Sequence, residues 1–265
     1  MNLYQSPFQY VSAPCGAGKT TAIINHIVQY PYQHNYLVVL PTERLMNKVH
    51  TTFLSRGIHA YRISSKTHPN SVIHEVVEYL KRPDNEGLVL IISWEAYKRI
   101  PFFSRRDNWK IFIDEIPPVD TCHQFTVPRN INKISKQIRI ENTINVDVAR
   151  VVAIDQNSLK RELDLVLDDV EEHFKELFQH VVSENHDVFV DVDDWTRLVE
   201  NNDISGNDKR NQITFVSMLN LSLFRNAVLL GANVADSLIF DWLDRYHRVR
   251  LKPNQEIRLP DVLSG

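Results

Sequence analysis

The chain has 265 residues, 43% of them hydrophobic and 24% charged, enough to bury a core as one large domain or two small ones. Its 30 Lys plus Arg stand against 33 Asp plus Glu, a net charge of −3, which excludes a polybasic tail or a wholly basic nucleic-acid binder. No apolar run approaches the roughly 18 residues of a membrane span, and the N-terminus lacks the layout of a signal peptide. Cys15 and Cys122 are the only cysteines and make no disulfide framework. These features lead us to expect a soluble, cytoplasmic protein with no membrane partner.

In chain order, Phe8 to Ala13 is short, apolar and β-prone, and it stops at Pro14. Lys19 to Gln29 reads as a helix, with Ile23, Ile24, Ile27 and Val28 near one face. Tyr36 to Leu40 is a continuous apolar run ended by Pro41, the pattern of a strand buried on both faces. A helix follows from Thr42, an N-cap residue type, to about Arg56. Ala60 to Ser64 is a further short strand, and helical spacing returns over Val72 to Leu80, with Glu78 and Arg82 four residues apart. Leu88 to Ile92 is a second buried-type strand, with a short helical stretch from Trp94 to Arg99. Ile111 to Ile113 is a third, ending in Asp114-Glu115 and broken by Pro117-Pro118. This alternation predicts βαβ units and a parallel sheet.

The middle of the chain reads differently. Short strands are expected around Ile138 and Val146. Leu159, Leu163, Val166, Val170, Phe174, Leu177 and Val181 then step by three and four, which predicts one long amphipathic helix from about Ser158 to Val182. From Asp155 to Asp203 there are 15 acidic residues and 4 basic ones, so an acidic segment lies within an otherwise basic chain. A buried-type strand resumes at Ala227 to Ala232, followed by a helix over Asp236 to Tyr246. The parallel pattern is interrupted and then resumed, so an acidic helical or mixed insertion is expected over about 136–210. Any anion-binding surface is expected in the basic remainder.

Glycine is scarce, 7 in 265, yet Gly16 and Gly18 fall just before Lys19-Thr20-Thr21. A chain this sparing places glycines where the backbone needs positive φ or close approach. Ala13-Pro14-Cys15-Gly16-Ala17-Gly18-Lys19-Thr20 follows a strand and opens a helix, which is the context of a phosphate-binding P-loop. Alanine stands at the usual first glycine. Gly16, Ala17, Gly18, Lys19, Thr20 and Thr21 are the candidate nucleotide contacts. Main-chain amides would cradle the phosphates at the helix mouth, with Lys19 on the β and γ phosphates and the Thr20 hydroxyl on Mg²⁺. Asp114, at the end of an apolar strand, is the candidate second ligand of Mg²⁺. Glu115, one step on, is the candidate to polarise the attacking water. ATP and Mg²⁺ are the cofactors this pair of signals predicts.

On these residues the chain resembles the first motifs of DEAD/DEAH-type, superfamily-two helicases: APCGAGKTT, VVLPTERL, LIISWEAY and IFIDEIPP run in the same order and rough spacing. The short N-terminal lead and APxGxGKTTA form look most like phage and viral replication helicases. The resemblance implies a single RecA-like P-loop NTPase lobe over 1–265, acting as an ATP-dependent motor domain of a helicase or translocase. It puts Lys19, Thr20, Asp114 and Glu115 at the nucleotide. It puts Pro41, Thr42, Arg44 and Ser93 along a nucleic-acid backbone, DNA ahead of RNA. Leu229 to Asn233 is similar in place to motif III, with Gly-Ala-Asn where Ser-Ala-Thr is usual; the rival reading has Asn233 capping the next helix. Ile116-Pro117 stands where Ala-Asp or Ala-His would follow the acid pair. No second lobe and no Gln-x-x-Arg-x-Gly-Arg-like segment is read, so a second RecA-like lobe or a partner protein is expected to complete the site.

Other signals stay open or bland. His74, Glu75 and Glu78 do not make a tetrahedral zinc site, and Cys122-His123 reads as loop. The four tryptophans read as core rather than as base-stacking platforms. Lys98, Arg99, Arg105, Arg106 and Lys110 are either phosphate contacts or solvated surface. Rival functions are a packaging ATPase, a small-molecule kinase, or a nucleotide-switched interaction module docking through its acidic segment.

Overall fold

The structure, a computed structural model, describes residues 8–69, 71–82, 87–101, 103, 106–116, 118–126, 132–143, 147–163, 169–200, 212–220, 224–245, 249 and 251–260. The chain begins with β1 (Gln9–Ser12), α1 (Lys19–Gln29), β2 (Asn35–Leu40), α2 (Glu43–Ser55), β3 (Ala60–Arg62) and α3 (Val72–Leu80), then β4 (Val89–Ser93), α4 (Trp94–Tyr97) and β5 (Trp109–Asp114). Next come β6 (Asp120–Thr126), α5 (Asn132–Gln137), β7 (Ile138–Thr143), β8 (Val148–Ala153), α6 (Gln156–Leu163) and α7 (Asp169–Val182). They are followed by β9 (His186–Asp191), α8 (Val192–Trp195) and β10 (Gln212–Leu219). The chain closes with β11 (Ala227–Gly231), α9 (Leu238–Arg245) and β12 (Lys252–Pro253).

Two compact units result: Met1–Pro117 with Leu221–Gly265, and Pro118–Asn220. The first is α/β. Its seven-stranded sheet runs β12-β1-β11-β5-β2-β4-β3, and every described pairing is parallel. The six positions of β2 are all buried, because helices cover both faces of a parallel sheet and leave no polar side. Tyr36, Val38 and Leu40 pack with Ile23 and Ile27 of α1 and Met46, Val49 and Phe53 of α2. Leu37 and Val39, equally buried, point to the other face by the two-residue period of a strand. β11 pairs with both β1 and β5, so the late strand completes the middle of the sheet.

The second unit is wider than the insertion expected over about 136–210. It carries a five-stranded sheet, β6-β10-β9-β8-β7, antiparallel at every described pairing. Cys122-His123 lies in β6 rather than in a loop, with His123 buried and Cys122 exposed. The stretch read as one long helix is described as α6 and α7, with 164–168 outside the described residues. Leu159, Phe174, Leu177 and Phe178 from these helices join Val151, Val188, Ile213 and Phe215 of the sheet in one core.

Candidate functional site

All strands of the first sheet being parallel, their C-terminal ends share one edge, where open α/β sheets bind ligands. Along it stand Gly231 at the end of β11, Asp114 at the end of β5, Pro41 just past β2 and Ser93 at the end of β4. The Ala13–Thr20 loop leaves the same edge from β1, and its first amide donates to the Gly231 carbonyl at 2.9 Å.

The loop has the conformation its glycines permit: Gly16 and Gly18 take φ of 80° and 81°. Gly18 is the N-cap of α1, and the first turn of that helix holds no acid, so the partial positive charge of its amides is not offset locally. Ala17 donates to the Pro14 carbonyl at 3.2 Å. Lys19 is 8% exposed, and its ammonium donates to the carbonyls of Ala13 and Pro14, 2.8 Å each, closing the loop on itself. Thr21 is exposed on the outer side of the first helical turn. The Gly18 face at the helix mouth is in contact with Pro260, whose Cγ and Cδ lie 2.9 and 3.1 Å from where a Cβ of Gly18 would stand.

Across the edge, the Thr20 hydroxyl donates to the Asp114 carboxylate. Burial pushes the Asp114 carboxyl above its ordinary range and the Glu115 charge adds to this, while the Thr20 hydrogen bond and the Lys19 ammonium oppose it. Glu115 is exposed and has φ 69°, a left-handed backbone that costs a non-glycine residue about 1 kcal/mol or more. A hydroxyl and a carboxylate meeting at one point are hard oxygen donors of the kind Mg²⁺ takes alongside retained waters. Among the described residues, no cluster of three or more His, Cys, Asp or Glu side chains is placed to hold a metal ion.

The residues the resemblance assigned to nucleic acid sit two and three strands from β11, over β2 and β4. Pro41, Thr42 and Arg44 are exposed and Ser93 is half-buried. Thr42 caps α2, accepting from the Leu45 amide at 3.3 Å, and Ser93 caps α4, accepting from the Ala96 amide at 3.2 Å. Three members of the basic cluster have partners within the protein. Lys98 pairs with Glu95 at 2.9 Å, and Arg106 donates to the Tyr97 hydroxyl and the Arg225 carbonyl. Lys110 pairs with Glu256 near the start of β5, at the opposite end of the strand from Asp114. Arg105 lies outside the described residues. Trp94, Trp109 and Trp195 are buried core. Glu78 pairs with Lys81 at 2.6 Å, and Arg82 lies over the Tyr79 ring instead, 4.2 Å from its centroid.

Three features of the site have no sequence signal: the left-handed turn at Glu115, the arrival of Pro260, and the packing of Ile116 on Gly231. Asn233 occupies the N-cap position of a short 3-10 turn with φ 51°, but its side chain makes no capping bond. No protein-family model, curated protein or solved structure matches the chain. Among the described residues, no helix is long and apolar enough to cross a membrane.

Proposed function

We propose that the first unit is a RecA-like P-loop NTPase lobe that binds Mg²⁺-ATP and works as the motor domain of a nucleic-acid helicase or translocase. The observation that carries the reading is the Thr20–Asp114 hydrogen bond. It joins a glycine-rich strand-to-helix loop to the acid at a strand end 94 residues away, the two protein groups that hold Mg²⁺ in such sites.

Each residue then has a definite task. Amides of Gly16 to Thr21 receive the phosphates, and Lys19 exchanges the carbonyls of Ala13 and Pro14 for phosphate oxygens. Thr20 and Asp114 hold Mg²⁺, which when bound neutralises charge on the phosphate chain. Glu115, exposed beside Asp114, orients and deprotonates the attacking water. Pro41, Thr42, Arg44 and Ser93 present a contact line for a single strand further along the same edge. An arginine finger supplied by a second lobe or a partner protein would raise turnover by on the order of 10³ or more.

Calorimetric titration of Mg²⁺-ATP into the wild type and Lys19→Ala tests the loop; equal affinity in both refutes it. ATPase assays with single-stranded DNA, RNA and duplex at stated salt test the motor. Hydrolysis indifferent to all three, with transfer to a small acceptor, would instead make this a kinase.

A further inference from the structure

The segment after β12 is built into the first unit by several independent anchors. Lys252 and Asn254 donate to the Phe8 and Tyr10 carbonyls at 2.8 Å, adding β12 to the sheet beside β1. Asn254 Oδ1 accepts from the amides of Glu256 and Ile257, at 3.0 and 2.8 Å. Glu256 pairs with Lys110, whose Nζ also stands 3.5 Å from His26 Nε2 in the last turn of α1. Ile257 is buried in the core that includes Ala22, Ile23 and Ile27, and Leu259 packs on its rim.

From beside His26 the chain therefore climbs α1 backwards to its mouth. Four extended residues, 257 to 260, reach about 13 Å, and the eight steps along α1 from Gly18 to His26 rise about 12 Å, so the lengths match. Ile257 and Leu259 face inward, Arg258 is exposed, and Pro260 ends on Gly18. Without a side chain, Gly18 leaves a face open to close approach at the mouth of α1, where the phosphate-loop reading puts the phosphate chain. The proline ring already touches it.

We infer that residues 258–260 form an autoinhibitory strap, in which Pro260 and the phosphate chain of a nucleotide compete for the same face of Gly18. This rests on the phosphate-loop reading above. Beyond Ile257 the anchors are Leu259 on the core rim and Pro260 on Gly18, so displacement needs only residues 258–260 to lift, leaving β12 and the Lys110–Glu256 pair in place.

The test compares the full chain, Pro260→Ala, and a chain ended after Arg258. Melting temperatures verify that each is folded, and each is titrated with Mg²⁺-ATP by calorimetry. Both altered chains are expected to bind at least about twofold more tightly, because a strap closed half the time or more raises the apparent Kd by that factor. In the full chain, saturating Mg²⁺-ATP is expected to speed tryptic cleavage after Arg258. Binding by the full chain, with equal or weaker affinity in both altered chains and no change in that cleavage, overturns the strap and leaves the phosphate loop standing. Absence of binding in all three overturns both.

Discussion

The Ile116 side chain rests on the bare Cα of Gly231: a Cβ there would stand 2.8 Å from Ile116 Cγ1 and 2.9 Å from Cδ1, with Val234 Cγ2 at 3.3 Å. A bulky residue after the acid pair thus packs where a glycine ends β11. Gly231→Ser is therefore expected to destabilise the protein by about 1–3 kcal/mol through overpacking, and Ile116→Ala in the same chain to recover much of it. A urea-unfolding double-mutant cycle should show a coupling of about 0.5–3 kcal/mol; simple additivity would rule the pairing out.

Thr42 and Ser93 each cap a helix, so replacing either by alanine costs about 1 kcal/mol of stability whatever its other role. Aspartate keeps the cap and adds a negative charge. Thr42→Asp and Ser93→Asp are expected to hold the melting temperature while weakening single-strand binding. Arg44→Ala, at an exposed site, should lower the slope of log affinity against log salt by about 0.7, the value of one phosphate contact on a single strand. Unchanged binding in all three variants would remove nucleic acid from this edge.

Asp114 is held above its ordinary pKa chiefly by burial. The folded state thus binds this proton more tightly than the unfolded chain, and stability falls as pH rises through the window between the unfolded and folded values. Asp114→Asn keeps an acceptor for the Thr20 hydroxyl without the buried charge. It is expected to melt at a higher temperature than the wild type at neutral pH in the absence of nucleotide, to lose that part of the pH dependence, and to lose Mg²⁺-dependent ATP affinity. Thermal melts across pH, paired with calorimetry, read both effects; a lower melting temperature at neutral pH would contradict the burial argument.

His26 moves the other way. Burial, then the neighbouring Lys110 ammonium, bring it down to about 4 from 6.5. Its Nε2 faces Lys110 Nζ, and its ring meets Tyr30, Tyr36 and Phe112. The unfolded chain binds the proton first, so the stabilising effect is whole above about pH 6.5 and is lost as pH falls towards about 4. His26→Phe is expected to flatten the decline in melting temperature over that range. An unaltered slope would show that other groups set the acid limit.

The parallel sheet was legible because its strands are covered on both faces, which forces unbroken apolar runs such as Tyr36 to Leu40 and Ile111 to Ile113. The glycine-rich turn from β1 to α1 and the acid at the end of β5 were legible for a related reason: a turn that takes positive φ at two positions calls for glycines, and this chain has few. The antiparallel sheet was legible only in part: a strand was expected around Ile138, where β7 begins, but β6, β9 and β10 were not. β6 reads DTCHQFT, and only His123 and Phe125 along it are buried, a one-sided pattern too sparse to declare a strand. β10 does alternate, with Ile213, Phe215 and Ser217 inward, so its strand signal is present in the sequence.

Composition and local pattern, then, determined the parallel-sheet strands, the helices between them and the residue types at the loop and at Asp114, since each follows from neighbours within a few positions. Only the tertiary structure decided that β11 slots between β1 and β5, that Thr20 meets Asp114, that Ile116 meets Gly231, and that Pro260 returns to Gly18. Those meetings join residues far apart along the chain. No local preference encodes them, because they arise from how buried surfaces from distant segments fit together.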